Sequence, residues 1–208
     1  MKKSFVFAVF VFLLLAVAAI PLWAQQAAAE KTTLDNLMTA YNGESNARAL
    51  YLAFAQKADE EGYGKAASLF RAAAEAEKIH LERHATVIKS LGGTPQANIE
   101  TPVVKTTKEN LKAALKGETY ENKTMYPQFL KQAKKEGLKD AIDAFEDAGA
   151  AEGVHAKWYK KALKKLDSWK GEKKDFLVCP VCGNVVTTLP GPACPICMTD
   201  TAKFVPVS

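Results

Sequence analysis

The 208-residue chain has few of the residues that most often carry chemistry. It contains three histidines and four cysteines, and all four cysteines lie between Cys179 and Cys197. A strong charge of one sign is also missing. The net charge of +5 falls to +3 (26 basic against 23 acidic residues) when Lys2 and Lys3 are set aside with an N-terminal segment that we expect to be removed. So small a charge, without a recognition motif, argues against nucleic acid as a partner.

The first 24 residues have the pattern of a targeting segment. Lys2–Lys3 precede an unbroken apolar run, Phe5–Ile20, and Ala24 ends an acceptable cleavage motif. The stretch Ala27–Ala29 offers a second cleavage point. An uncleaved anchor is the competing interpretation, because Phe5–Ala24 is just long enough to span a thin bilayer. We expect residues 1–24 to be a signal peptide and the protein to be exported to the periplasm.

Four later stretches repeat apolar residues every three or four positions, which predicts four long helices. They cover about residues 33–61, 65–91, 107–135 and 138–169. A longer connection, with two prolines, separates the second helix from the third. Pro127 lies inside the third helix and must kink it or open a local bulge.

Glutamates and histidines recur on the inward faces of these helices in a doubled pattern. Glu77–His80 and Glu152–His155 are Glu-x-x-His pairs, and the lone glutamates Glu44 and Glu118 precede them in the two halves. A carboxylate and an imidazole three positions apart share one helical face, where they can bind one metal ion together. Two such pairs with two further carboxylates form the di-metal site of ferritin-like bundles. The donor set suits iron or manganese better than zinc.

Other residues near this pattern are further candidates. Glu121 breaks the doubling, because its counterpart 74 positions earlier is Ala47, so the second half supplies an extra carboxylate. Tyr51 and Tyr126 can reach the site as hydrogen-bond donors, although aromatic residues at helical spacing usually belong to the core. His84 is either a residue of the site or a hydrogen-bonded core histidine. For any single glutamate, a salt bridge at the edge of the apolar face is the alternative.

The cysteines form two Cys-Pro-x-Cys turns, Cys179–Cys182 and Cys194–Cys197. In an exported protein the alternative is a pair of disulfides. The turns favour a metal, because together they aim four thiolates at one point and create a tetrahedral site for iron or zinc. The ligands do not distinguish these two metals. We therefore expect two domains, residues 33–170 and a metal-stapled module over residues 175–208.

From about residue 34 to residue 207, these features resemble rubrerythrin. The segments that carry the resemblance are Gly43–Ala47, Ala76–His80, Gly117–Glu121 with Met125–Pro127, Ala151–His155 and the four cysteines. The resemblance implies an all-α, four-helix ferritin-like bundle with one long crossover. A small rubredoxin-like metal-knuckle domain should follow it.

The resemblance also implies cofactors and roles. Two iron ions, bridged by oxo and carboxylate groups, would be bound by seven residues: Glu44, Glu77, His80, Glu118, Glu121, Glu152 and His155. One iron would move between Glu121 and His80 as the redox state changes, and Tyr51 and Tyr126 would assist. Hydrogen peroxide would be reduced to water, with electrons arriving through an iron held by Cys179, Cys182, Cys194 and Cys197. Family members are usually homodimers in which one subunit's four-cysteine centre lies near the other's di-iron site.

Two features depart from the family pattern. The targeting segment implies an exported electron donor, such as a cytochrome, and membrane contact only if the segment is uncleaved. Asn184 stands where an aromatic residue is expected, and Met198 follows the last cysteine. These two positions keep zinc open for the four-cysteine site. The competing functions are a ferroxidase or oxygen-scavenging protein, and an iron-binding protein with a structural zinc module.

Overall fold

The computed structural model describes residues 31–208, and the expected signal peptide lies outside the described residues. Five α-helices are α1 Thr33–Glu60, α2 Gly64–Ser90, α3 Thr107–Tyr120, α4 Tyr126–Glu136 and α5 Lys139–Lys164. Since α3 and α4 follow one another around a single π-turn, the architecture is a four-helix bundle. No helix within residues 31–208 has both the length and the apolar character that crossing a membrane requires.

Side-chain caps fix where α1 and α3 begin. Thr32 and Asp35 exchange hydrogen bonds at the start of α1, where the Asp35 amide donates to Thr32 Oγ1 at 3.1 Å. Thr106 and Glu109 form the same capping box at α3. Each box satisfies amide donors that a first helical turn leaves without partners. At the other end of α4, Gly137 adopts a φ of +69°, a left-handed conformation that ends a helix and suits glycine.

The third predicted helix is interrupted where Pro127 was expected to disturb it. Residues Glu121–Met125 form a π-turn, and the Tyr126 amide donates to the Glu121 carbonyl five positions earlier. Pro127 has no amide hydrogen for the Lys123 carbonyl, and its ring crowds that carbonyl in a regular helix. The chain accommodates one extra residue instead, as π-turns within helices do.

One long connection, residues 91–106, crosses the bundle between α2 and α3. Two asparagines of α1 hold it in place. Asn42 Oδ1 accepts from the Asn98 amide, and Asn46 Oδ1 accepts from the Glu100 amide, both at 2.8 Å. The α1–α2 hairpin thus joins the hairpin of α3, α4 and α5, and the predicted bundle with one crossover is confirmed.

The interior of the bundle consists of two apolar clusters. The first includes Tyr51, Phe54, Phe70, Leu111 and Tyr159. The second includes Leu37, Val87, Phe129 and Phe145. On α1, α2 and α5 the candidate metal ligands lie in sequence between the residues of one cluster and those of the other, and on α3 Glu118 follows residues of the first cluster. The ligands therefore form a polar layer that divides the core.

The C-terminal residues form a three-stranded antiparallel sheet in the order β2-β1-β3. Its strands are β1 Phe176–Val178, β2 Val185–Val186 and β3 Val205–Val207. The fourth predicted helix is shorter than expected, since α5 ends at Lys164 and residues 166–169 form a separate 3-10 turn. Trp158 of α5 donates through Nε1 to the Val185 carbonyl at 2.8 Å and packs edge-on against Phe176. Residues 31–208 form one compact unit.

Candidate di-metal and four-cysteine centres

The bundle brings six of the seven predicted ligands into its centre. They are Glu44 from α1, Glu77 and His80 from α2, Glu118 from α3, and Glu152 and His155 from α5. All six are at most 2% exposed. Burying six ionisable side chains together is strongly unfavourable unless their charges are compensated. The helical spacing therefore places these groups where a cation is required.

The six residues form two overlapping clusters, each with ligand atoms within 4.8 Å of one another. One cluster contains Glu44, Glu77, His80 and Glu152, and the other contains Glu77, Glu118, Glu152 and His155. Glu77 and Glu152 belong to both. Each of these two carboxylates has two oxygens, so it can bridge two metal ions.

The imidazoles present Nδ1 to the clusters. His80 Nδ1 lies 3.0 Å from Glu77 Oε2 and 2.9 Å from Glu152 Oε1. His155 Nδ1 lies 2.8 Å from Glu152 Oε2 and 3.3 Å from Glu118 Oε2. On each ring Nε2 faces a main-chain carbonyl, which can only accept, so the neutral ring has its proton on Nε2 and a lone pair on Nδ1. In that neutral form the Nδ1 lone pairs face carboxylate oxygens, and a metal ion between them would satisfy both.

Unpartnered oxygens lead to the same conclusion. Among the described residues, one carboxylate oxygen each of Glu44, Glu77 and Glu118, and both oxygens of Glu152, are buried without a hydrogen bond. Buried carboxylate oxygens without donors are costly. Five of them converging in one layer fit a pair of oxygen-preferring ions such as iron.

The protonation of the site shows the same excess of negative charge. Desolvation, followed by repulsion from neighbouring carboxylates, raises the pKa of Glu44 and of Glu77 well above its ordinary value. The same causes raise the pKa of Glu118 to about 7. For His80, burial acts to lower the pKa, but Glu152 outweighs it and raises the value to about 9. Protons retained this firmly are displaced when a metal binds.

Glu121, the seventh predicted ligand, lies apart from the other six. It opens the π-turn, is only partly buried, and belongs to neither cluster. His80 takes part in the first cluster instead. Burial, followed by repulsion from Glu44, raises the pKa of Glu121 well above its ordinary value. Its role as a ligand stays a prediction.

The two candidate tyrosines connect the halves of the bundle. The Tyr51 hydroxyl donates to Glu118 Oε1 at 2.9 Å, and the Tyr126 hydroxyl donates to Glu44 Oε1. Tyr51 lies seven residues after Glu44, whereas Tyr126 lies eight residues after Glu118. The extra residue of the π-turn restores the register and makes the two tyrosines equivalent.

His84 lies behind this layer and is a hydrogen-bonded core histidine. Its Nε2 is 3.0 Å from the Tyr126 hydroxyl, and burial lowers its pKa to about 3, so the ring is neutral. Tyr159 of α5 was not among the candidates named from the sequence. Its ring centroid lies 5.7 Å from that of Tyr51, and it follows Glu152 by the same seven positions that separate His84 from Glu77. This shared spacing was the feature of the sequence that could have identified Tyr159 as a residue near the site.

The four cysteines converge at the end of the module. The Sγ atoms of Cys179 and Cys197 are 3.6 Å apart, as are those of Cys182 and Cys194. A disulfide requires about 2.05 Å, whereas thiolates bound to one metal at about 2.3 Å lie roughly 3.8 Å apart. The geometry therefore fits a tetrahedral metal. Met198 follows the second turn with a φ of +62°, where Gly183 follows the first with +72°.

Asn184, at the position where an aromatic residue was expected, contributes a hydrogen bond to sulfur. Its side chain is 1% exposed, and Nδ2 lies 3.6 Å from Cys194 Sγ. Hydrogen bonds to the sulfurs help to set the reduction potential of an iron–sulfur site. A donor at this sulfur stabilises the more negative, reduced form of a bound iron.

Replacing Asn184 by leucine should lower the reduction potential of an iron-loaded module. We expect the equilibrium constant for reduction to fall about fivefold, which corresponds to about 1 kcal/mol. This is less than the full contribution of a hydrogen bond to a charged group, because the bond is weakened and not absent in the oxidised form. Spectroelectrochemical titration at the ferric-thiolate absorption measures this. Val181→Leu, at an exposed position in the same turn, is the control. An unchanged potential in Asn184→Leu would contradict the assignment.

The module rests directly on the metal ligands of the bundle. His80 Nε2 lies 3.0 Å from the Cys182 carbonyl, and His155 Nε2 lies 3.0 Å from the Gly183 carbonyl. The resemblance predicted this proximity between subunits; here the chain's own module makes the contact. Each ligand histidine thus has its second nitrogen fixed by the backbone of a cysteine turn.

These features define a class: a di-iron carboxylate bundle with an attached tetrathiolate module. The sequence pattern of the Rubrerythrin family matches residues 35–163, and the chain belongs to the rubrerythrin family. Nigerythrin of Nitratidesulfovibrio vulgaris is 38% identical over 174 residues, covering 83% of this chain and 85% of its own. A putative rubrerythrin of Methanocaldococcus jannaschii is 38% identical over 180 residues, covering 80% and 88%.

A solved structure has the same arrangement. Nigerythrin in its fully reduced, all-ferrous state matches with a TM-score of 0.79 and 34% identity, over 88% of this chain and 90% of that chain. The predicted fold class is confirmed for both the helical bundle and the small sheet with its cysteines. The carboxylate–histidine clusters and the cysteine cluster fit the family's di-iron site and a four-cysteine iron.

Proposed function

We propose that the protein is a non-haem di-iron peroxidase that reduces hydrogen peroxide to water, with electrons relayed through the four-cysteine iron. The pair of hydrogen bonds between the module and the ligand histidines carries this proposal. Cys182 contributes both a thiolate of one centre and the carbonyl that His80 contacts at 3.0 Å. A short bonded path therefore joins the two centres, which an iron store or a structural zinc module does not need.

The protein's own groups hold the site in place and bury its ligands. Four buried carboxylates and two imidazoles orient the metal positions, and the carbonyls of Cys182 and Gly183 fix the ring orientations. Tyr51 and Tyr126 donate to Glu118 and Glu44 and hold these carboxylates in position. Two ferrous ions bound here would supply one electron each to cleave the O–O bond, and two protons complete two water molecules.

A visible spectrum tests the proposal. The protein is reduced without oxygen and then given one equivalent of hydrogen peroxide. If both centres hold iron and exchange electrons, the ferric-thiolate absorption and that of the oxidised iron pair return rapidly. A featureless thiolate region with slow oxidation of the bundle would contradict the relay. It would favour the alternative of an iron-handling protein with structural zinc.

We also propose that the protein works in the periplasm as a homodimer, with an exported one-electron donor. The charged start, apolar run and small residues of positions 1–24 support export. N-terminal sequencing of protein from the periplasmic fraction should begin at Gln25, or within Ala27–Ala29. Recovery of the full chain from membranes would indicate an uncleaved anchor. Sedimentation of the mature protein as a monomer would contradict the dimer.

A further inference from the structure

A cavity of about 750 Å³ opens beside the di-metal site. It lies between α1, α3 and the crossover, with residues from the segments 46–54, 100–105 and 109–121 around it. It adjoins the side of the di-metal site on which Glu121, the seventh candidate ligand, lies.

The floor of the cavity is polar and belongs to the site. Tyr51 and Glu121 both line it. The Tyr51 hydroxyl contacts Glu118, and Glu121 is the one candidate bundle ligand that is partly exposed. Gly117 lines the approach, and even a Cβ there would lie 3.9 Å from the Tyr51 hydroxyl. A molecule in the cavity can therefore bring one end to the metal site.

The walls of the cavity are mostly apolar. Side chains from both helices and the crossover contribute: Ala47, Leu50, Phe54, Pro102, Val103 and Ala113. Two asparagines also line it, but the crossover engages their amide groups. Asn46 bonds the backbone of residues 98 and 100, and Asn110 bonds that of Lys105. The charged lining residues other than Glu121 are exposed to solvent: Glu100, Lys105, Glu109 and Lys112.

The cavity is far larger than hydrogen peroxide requires. A molecule with two heavy atoms needs about the space of two waters, or roughly 60 Å³. The observed volume falls within the range of small-molecule pockets, about 300–1,000 Å³, whose walls are apolar with a few convergent polar groups. We propose that the cavity binds the apolar group of organic hydroperoxides and presents their O–O bond to the metal site.

This inference rests on the proposed peroxidase function and names a second substrate class for it. The O–O bond of the hydroperoxide breaks, and the two electrons come from the two ferrous ions. Two protons are taken up, and the oxygens leave as an alcohol and water. The same relay from a reduced one-electron donor returns the site to its starting state.

Substrate comparison in matched variants tests the inference. Ala113→Phe fills the cavity from α3, where the side chain is exposed and the core is untouched. We expect kcat/KM for cumene hydroperoxide to fall about tenfold or more, from steric exclusion. The kcat/KM for hydrogen peroxide should stay within about twofold, since that molecule still passes. Ala47→Met repeats the test from α1. Ala150→Phe, on the exposed face of α5, is the control and should change neither value.

A binding measurement separates the two proposals. The product alcohol, 2-phenyl-2-propanol, should bind the oxidised holoprotein in calorimetry, and Ala113→Phe but not Ala150→Phe should abolish binding. Turnover of hydrogen peroxide without turnover of cumene hydroperoxide, or an equal loss of both in Ala113→Phe, would overturn the inference alone. Absence of turnover with either peroxide would overturn the proposed function, while alcohol binding would still test the cavity.

Discussion

Glu152→Gln is expected to abolish peroxide turnover and to prevent the bundle from holding two metal ions. Glu152 is shared by both ligand clusters, and its two oxygens lie 2.9 and 2.8 Å from the Nδ1 atoms of His80 and His155. Glutamine keeps the size but replaces one oxygen with an amide donor, so it cannot bridge two cations. Loss of a hydrogen-bond partner behind a metal ligand already costs 10–100-fold, so loss of this ligand should cost at least about 100-fold.

Metal content and turnover measure this effect together. Glu152→Gln should retain its helical circular dichroism but bind at most one iron in the bundle. Glu146→Gln is the matched control on the same helix, because Glu146 is exposed and forms a surface ion pair with Lys134 at 2.9 Å. Two irons per bundle and near-normal turnover in Glu152→Gln would show that Glu152 does not bridge.

Gly183→Ala should uncouple the module from the bundle. An added Cβ would lie 2.5 Å from His80 Nε2, closer than such atoms can approach, and 3.0 Å from Ala76 Cβ, which is a tight contact. The backbone φ of +72° adds about 1–2 kcal/mol for a residue with a side chain. The module must shift, and the hydrogen bonds from His80 and His155 are then lost. We expect electron transfer from the four-cysteine iron to the bundle to slow by about 10–100-fold.

Stopped-flow spectroscopy at two wavelengths separates this effect from general damage. Direct reaction of the chemically reduced bundle with peroxide should change little, while re-reduction through the module slows. Gly137→Ala carries the same backbone strain, with a φ of +69° and no neighbour within 4 Å of the new Cβ, and should leave the transfer unchanged. An unaltered transfer rate in Gly183→Ala would remove these carbonyls from the path.

Helical periodicity and spacing were sufficient to predict the bundle and the convergence of its central ligands. Inward-facing charges are rare, so six in phase on four helices admit few arrangements. The cysteine turns were equally informative, because their spacing constrains where four sulfurs can meet. In both cases the chemistry depends on side chains that the sequence displays directly.

The remaining features depend on the main chain or on small shifts of register. The π-turn starts at Glu121, six residues before the proline that explains it, and periodicity gave no sign that this glutamate lies apart from the clusters. The docking of the module uses the carbonyls of Cys182 and Gly183, which every residue type possesses. In the sequence, Gly183 was the one visible sign of this contact. It was not decisive, because the left-handed conformation of the cysteine turn also favours glycine at this position.

The divided core gives the metals a mechanical role. Aromatic and aliphatic packing holds the helices together on either side of the ligand layer, but within the layer the described side chains are carboxylates and imidazoles. Like charges on different helices repel at this level. Two bound ions would cross-link four segments that are distant in sequence, at the level where the packing between helices is weakest. The bound metals would then complete the architecture as well as the chemistry.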